Sequence, residues 1–574
     1  MDVNQLMVLG VFFSTIFALV ASNMRPSTIF AVAMLILLVS QQITFDEILN
    51  NLTNKGLITL VLLLLVSSAI DKTALIKQIG RKLITPSFTV SYWRLFGLSF
   101  FSSALLNNTA IVASLIGPVK QNQYHPASRL LIPLSYSAIL GGTVTLIGTS
   151  TNLIVDSFLQ EHGHPGFAFW DFTLYGLAAG LSCGFLMFVL STLLPDIANK
   201  KTDYRAYIVE AEVEPGSELI GKTVEENHLR NLPELFLVEI VRDGQLISPV
   251  SPELIIHQGD KLIFSGNVQK LDSLSHIKGL TMFAEADGIL RENLTEVIIS
   301  NRAQIIGQTI KALGFRALFD AAVVAIRRDG EQLSGKLGEI KLQAGDFLLL
   351  ATGPDFQTRQ NLSKNFFILS EQKISRPLTN WQEWITMGGF LLVVALSATD
   401  TLNLGIGLLF FAAVLVGAKV TSNGEIKRNL PLNLIVVIVG ALSLASALEN
   451  AGVISLSTDF LMPYLSDTNW FVALCTVYLA TLVLTEFVTN NAAAALMFPF
   501  AYGVAGLIGA PLMPFALAVA FAASASFISP YGYQTNLLVF NAANYRFSHF
   551  IKIGLPISIT YSTIVLVLLN MTYF

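Results

Sequence analysis

Two polar triplets sit in the middle of otherwise apolar runs and could bind a small ion. Thr489-Asn490-Asn491 interrupts the run from Leu482 to Pro499, and Asn107-Asn108-Thr109 interrupts the run from Phe101 to Pro118. In lipid an unpaired amide or hydroxyl costs several kcal/mol, so polar, non-helical backbone at membrane depth is expected only where protein buries it or it lines a cavity. Two such breaks at corresponding places in two halves of a chain point to a transporter's binding site.

The elements that must hold these triplets are apolar segments. Of the 574 residues, 53% are hydrophobic and 13% charged, against a usual charged share of about 25%. This composition predicts a polytopic membrane protein, and the net charge of -4 gives no electrostatic case for binding nucleic acid. Apolar segments lie near 5–22, 27–42, 56–71, 96–118, 129–155 and 171–195, with an amphipathic stretch at 75–84 carrying Lys77, Arg81 and Lys82. A matching series follows at 384–398, 403–420, 432–449, 469–510, 511–540 and 552–573. The interrupted runs 96–118 and 469–510 suit re-entrant hairpins better than plain spans. The first segment lacks a basic flank and a cleavage site and is read as a transmembrane helix. Cys183 and Cys475 are far apart, in apolar runs, and form neither a disulfide framework nor a zinc spacing.

The two series also match residue by residue. Ser68, Ala69 and Asp71 correspond to Ser446, Ala447 and Glu449; Gly148, Thr151, Asn152, Leu153 and Val155 correspond to Gly532, Thr535, Asn536, Leu537 and Val539. Basic residues in short loops (Arg25, Lys72, Arg94, Lys120, Arg129, Lys200, Lys201 and Arg205, then Lys419, Lys427, Arg428, Arg546 and Lys552) fall on one side if both termini are outside. The halves then insert in opposite senses, as in inverted-repeat transporters.

Between Pro195 and Pro377 the texture becomes that of a soluble α/β insert, expected in the cytoplasm. It is duplicated: Ile220-Gly221-Lys222-Thr223, LFLVEIVRDGQLI and GDKLIFSG are echoed by Ile306-Gly307-Gln308-Thr309, DAAVVAIRRDGEQL and GDFLLLATG. Alternating apolar runs bounded by Arg-Asp-Gly and Gly-Asp predict strands with tight turns, and the Gly-x-Thr segments predict short helix starts. Both units resemble the TrkA-C domain, which implies dimerisation and sensing of a nucleotide or other small effector. No glycine-rich dinucleotide fingerprint precedes them.

With repeats, hairpins and insert in place, the chain resembles the divalent anion–sodium symporter family of the ion transporter superfamily over 1–195 and 378–574. The resemblance implies an α-helical inverted-repeat transporter with two hairpins and broken helices, divided as 1–195, two TrkA-C-like domains at 203–275 and 284–367, and 378–574. Family members carry Ser-Asn-Thr at both hairpin tips. Here the middle Asn is kept, while the outer positions differ, which argues against a typical dicarboxylate site. By the same resemblance Ser103, Asn107, Asn108 and Gly148 form one sodium site, and Thr485, Asn490 and Gly532 its mirror. The anion falls to Asn107, Asn108, Thr109, Thr489, Asn490, Asn491, Thr151, Asn152, Thr535 and Asn536. Amides, hydroxyls and half-helix N–H groups attract an anion without a buried cation, and hydroxyl and carbonyl oxygens suit sodium.

Glu486, whose counterpart is Ala104, is an intramembrane carboxylate that either strengthens a cation site or carries a proton, or else faces a watery vestibule. Asp71, Glu449 and Asp400 are read as solvated helix ends, and His162 and His164 lack a third metal ligand. The expected function is alternating-access symport of sodium with a small divalent anion, sulfate favoured, by a homodimer in the plasma (inner) membrane. A dicarboxylate or citrate carrier and a proton-coupled or arsenite-type exchanger are the rivals within transporters; a ligand-gated channel is the rival outside them, disfavoured because no TVGYG-like filter is present. No nucleophile–base pair or phosphate loop points to an enzyme.

Overall fold

The computed structural model describes residues 2–22, 24–73, 80, 83–196, 208–229, 235–242, 245–247, 250–266, 280–283, 294–300, 303–328, 331–333, 337–352, 356, 359, 362–368, 378–453, 470–543 and 545–574. Most of the amphipathic stretch 75–84, the basic residues Lys200, Lys201 and Arg205, and the Asp243-Gly244 and Asp329-Gly330 turns lie outside the described residues.

The first half contributes helices α1 (Val3–Ala21), α2 (Pro26–Val39), α3 (Phe45–Leu52), α4 (Lys55–Ile70), α5 (Phe88–Ser103), α6 (Asn108–Gln121), α7 (Ala127–Gly142), α8 (Ser150–Glu161) and α9 (Thr173–Leu190). After the insert come α10 (Asn380–Ala398), α11 (Leu404–Gly417), α12 (Asn423–Asn429), α13 (Leu432–Asn450), α14 (Trp470–Phe487), α15 (Asn490–Leu507), α16 (Leu512–Ser524), α17 (Gln534–Ala542) and α18 (Phe547–Tyr573). Among the described residues five helices are long and apolar enough to cross a membrane, or six when α3 and α4, bent by 43° at their junction, count as one span. The chain is an integral membrane protein with a small β insert.

Local sequence explains why the same elements start at the same places in both halves. Capping boxes open α1 (Asp2 with Gln5) and α10 (Thr379 with Gln382), and likewise α3 (Thr44 with Glu47) and α12 (Ser422 with Glu425). Each satisfies backbone N–H groups that the helix itself leaves unpaired. The packing partners are exchanged between halves: α2 packs on α13 while α11 packs on α4, and α8 packs on α15 and α16 while α17 packs on α6 and α7. Helix α9 packs on α18. Lys72, just past α4, donates to Val420 O and forms a 3.0 Å ion pair with Glu425 of α12, joining the halves at one end.

The insert forms two antiparallel five-stranded sheets. The first runs β3 (Gln245–Ile247), β2 (Leu235–Arg242), β4 (Lys261–Gly266), β1 (Ile208–Val213), β5 (Leu280–Phe283); the second runs β10 (Phe366–Ile368), β6 (Leu294–Ile299), β9 (Phe347–Thr352), β7 (Ala321–Arg328), β8 (Glu331–Gln332). Reversed, the second order repeats the first. The same ion pair locks both: Arg242 grips buried Asp260 with two 2.8 Å bonds, and Arg328 grips buried Asp346 at 2.7 and 2.8 Å. The expectation of short helices starting at the Gly-x-Thr segments is corrected. Thr223 and Thr309 form isolated bridges to Ile255 and Lys341; Thr223 exchanges capping bonds with Glu226 but only turns follow it, and the helix of the second unit begins later, at Phe315. Asp346→Asn should destabilise this sheet by about 3 kcal/mol, since it leaves the Arg328 guanidinium without its counter-charge. Limited proteolysis of the full chain checks this: cleavage should accelerate within the insert and leave the membrane helices intact.

Candidate functional site

Each hairpin turns at its triplet. In the first, Asn107 caps α6, its Oδ1 accepting from the Thr109 and Ala110 amides at 2.9 and 3.4 Å. Asn108 is buried, and its Oδ1 accepts a 2.6 Å bond from the buried Ser103 hydroxyl. In the second, Thr485 Oγ1 stands 3.1 Å from Asn490 Oδ1 and 2.7 Å from Ala523 O. The hydroxyl one turn before each triplet therefore meets the middle Asn.

The long runs 129–155 and 511–540 are broken helices. Helix α7 stops at Gly142 and α8 starts at Ser150; α16 stops at Ser524 and α17 starts at Gln534. Asn152 Nδ2 donates back to Thr145 O at 2.9 Å and Asn536 Nδ2 to Ser526 O at 2.8 Å, so each Asn near a half-helix start holds its own loop. Asn536 Oδ1 also accepts from Ser135 at 2.7 Å. Among the described residues, the buried Asn152 Oδ1 and Thr535 Oγ1 have no hydrogen-bond partner.

Bonds across the halves join these four pieces. Asn108 Nδ2 donates to the Tyr533 hydroxyl at the start of α17 (2.6 Å), and Ser150 at the start of α8 donates to Asn491 of the other hairpin tip (2.7 Å). Thr151 and Ser524 hydroxyls lie 2.6 Å apart. The glycines explain the closeness. A methyl on Gly142 would lie 2.6 Å from Asn108 Nδ2, one on Gly148 would lie 2.9 Å from the Gly142 carbonyl carbon, and one on Gly532 would lie 3.0 Å from Thr485 O.

Most of the residues singled out in the sequence thus meet in one place. Thr109 is half-buried, and Thr489 is exposed, the N-cap of α15 without a side-chain capping bond. Tyr533, Ser150, Ser524, Ser526 and Thr145 were not singled out; the density of hydroxyls in Thr143–Thr151 and Ser524–Ser529 was the available signal. Glu486 is engaged by the loop itself: its oxygens accept from the Ile528 and Ser529 amides at 3.0 and 2.9 Å, and Ser526 Oγ is 3.4 Å away. His162 stands 3.8 Å from Glu449 and 4.5 Å, centroid to centroid, from Tyr502; among the described residues no group of His, Cys, Asp and Glu could hold a transition metal.

Chemically, the cluster offers hydroxyl, amide and carbonyl oxygens, the ligands of hard cations, beside the starts of four helices, whose free N–H groups and positive dipole ends favour an anion. The sequence model of one protein family, described as citrate transporter, matches residues 16–520. The chain belongs to the citrate transporter family. Membership makes it a transporter and not an enzyme. It is similar to an uncharacterised transporter of Synechocystis, 30% identical over 93% of this chain and 92% of that protein. An uncharacterised transporter of Escherichia coli is 24% identical over 93% of each chain. Sodium/sulfate cotransporter 2 of Chlamydomonas reinhardtii is 28% identical over 62% of this chain, a match that spans 42% of that longer protein.

Proposed function

We propose that this family member carries a small divalent anion, sulfate favoured, together with sodium, by alternating access. The observation that carries the reading is the paired arrangement of hydroxyl and Asn at the two hairpin tips, Ser103 with Asn108 and Thr485 with Asn490, each beside a broken helix. In this reading Ser103, Asn107, Asn108 and Gly148 hold one sodium ion and Thr485, Asn490 and Gly532 another. The anion sits between the tips, among Thr109, Asn491, Thr151, Asn152, Thr535 and Asn536. The exchange of packing partners between halves supports an inverted repeat of 1–195 and 378–574. The equal strand orders and Arg–Asp pairs support two TrkA-C-like domains at 203–275 and 284–367, cytoplasmic, that dimerise or regulate the carrier. Glu486 is assigned to the loop rather than to coupling.

Sulfate is favoured because the chain resembles sodium/sulfate cotransporters and because the tip residues differ from the usual Ser-Asn-Thr. The second reading, a dicarboxylate or citrate carrier, is favoured by the description of the matching family. Thermal melting of the purified protein separates them, because a ligand bound only by the folded state raises the midpoint. Sulfate should raise it in sodium and not in choline, and citrate and succinate should have no effect. A rise with citrate alone would transfer the assignment to the second reading.

A further inference from the structure

Among the described residues the insert touches the membrane part at α6 and α17. Lys120, in the last turn of α6, forms a 2.8 Å ion pair with Glu296 of β6, and its ammonium lies 5.7 Å from the Phe347 ring of β9. Arg327 of β7 packs over the same ring at 4.4 Å and donates to Asn541 O in the last turn of α17 at 3.1 Å. Backbone meets side chain there as well: a methyl on Gly345 would lie 2.9 Å from Leu537 of α17. Phe347, Leu349 and Val324 belong to the same apolar cluster as the membrane helices.

Both of these helices begin at the candidate site. Helix α6 starts with Asn108, and α17 starts at Gln534, directly after Tyr533, which binds Asn108. The two pack on each other. A helix leaves its last carbonyls unpaired and carries partial negative charge at that end, so a cation there is favourable. Lys120 and Arg327 supply that charge, and the second sheet of the insert fixes both. The positive ends of the same helices face the site.

We propose that the second sheet of the insert is a positioning element for transport: through Lys120–Glu296 and Arg327 it sets where the N-terminal ends of α6 and α17 stand. The proposal rests on the reading of Asn108 as a sodium ligand. A state of the insert that shifts this sheet would shift both helix starts together, and an effector could act on transport only by preferring one such state. Lys120 and Arg327 are positioning residues here, since neither touches the ion.

The test is charge reversal in the full-length protein, reconstituted in liposomes, with sulfate uptake measured against sodium concentration. Lys120→Glu and Glu296→Lys should each raise the half-saturating sodium concentration about tenfold, within the range of ordinary coupling between sites. The double reversal should return it to within about threefold of the native value, which loss of general stability would not do. Arg327→Gln should shift it in the same direction and Arg327→Lys should largely preserve it; this pair serves if a single reversal fails to fold, as judged by thermal melting. Single reversals that leave sodium dependence unchanged, or a double reversal that does not recover, overturn the positioning role. Asn108→Ala is run beside them. Inactive Asn108→Ala with unaffected reversals overturns only the positioning role, whereas native-like transport by Asn108→Ala overturns the site reading and, with it, this route of coupling.

Discussion

Asn108→Ala is expected to weaken sodium-dependent uptake by about a hundredfold, the largest effect of any single hairpin substitution. The change removes the acceptor of the buried Ser103 hydroxyl and the donor to Tyr533 in one step. Each buried polar group left unpaired costs about 1–3 kcal/mol, and a loss of about 2.8 kcal/mol, within the range for two such groups, amounts to about a hundredfold in affinity. Asn490→Ala should follow it closely, because Thr485 loses one of its two acceptors and the proposed second cation site loses a ligand. Thr489→Ala is the internal control. Its side chain is exposed and makes no capping bond, so transport should stay within about twofold of native, the size of an ordinary surface substitution. Sodium titrations of uptake distinguish the three variants; a Thr489→Ala loss equal to that of Asn108→Ala would displace the site toward the outer triplet positions.

Glu486→Gln should be nearly as damaging, by a different route. Both carboxylate oxygens accept backbone amides of the loop that joins α16 to α17, and the same loop is held from its carbonyl side by Asn536. Hydrogen bonds to a charged group contribute about 1.5–3 kcal/mol each. An amide in place of the carboxylate turns one acceptor into a donor aimed at another donor. The expected result is a loss of at least about 3 kcal/mol of stability, together with a severe loss of uptake, because Gly532 and Asn536 are no longer fixed. Glu486→Asp should recover neither fully, as the shorter chain cannot reach both amides. If instead Glu486→Gln keeps its stability and abolishes only the pH dependence of uptake, the carboxylate is a proton carrier and the clamp reading fails.

The contrast between Glu486 and its counterpart shows what could be read from sequence alone. Its position in an apolar run marked it as functional or structural, yet the groups it binds are backbone amides more than forty residues later, and backbone amides leave no trace in composition. In the first half the same junction is made with a neutral contact, the Thr145 hydroxyl donating to Ala104 O, so the repeat itself gave no hint of a carboxylate's role. The polar triplets were legible for the opposite reason. Polar residues in an apolar run are rare, and Ser103 and Thr485 lie only one helical turn before their triplets, so both features stand out in the sequence.

Tyr533 was hidden among aromatics that pack in any apolar segment; only the fold brings its hydroxyl to Asn108. The docking of the insert was equally invisible, since Lys120 and Glu296 are ordinary surface-type residues until the chain brings them together. The misread helix starts in the insert have a simpler cause. Gly-x-Thr fits a helix N-terminus and a turn alike, and here Thr223 and Thr309 stand in turns with isolated bridges to Ile255 and Lys341.

In the proposed reading a sodium gradient drives the paired hairpins and broken helices. Radiolabelled sulfate uptake by the reconstituted protein, with an inward sodium gradient compared with choline, is therefore the most direct measurement. Sulfate should accumulate above its external concentration in sodium and only equilibrate in choline, with unlabelled thiosulfate competing and malate not. Equal uptake in the two cations would contradict sodium coupling, and so the account of the site.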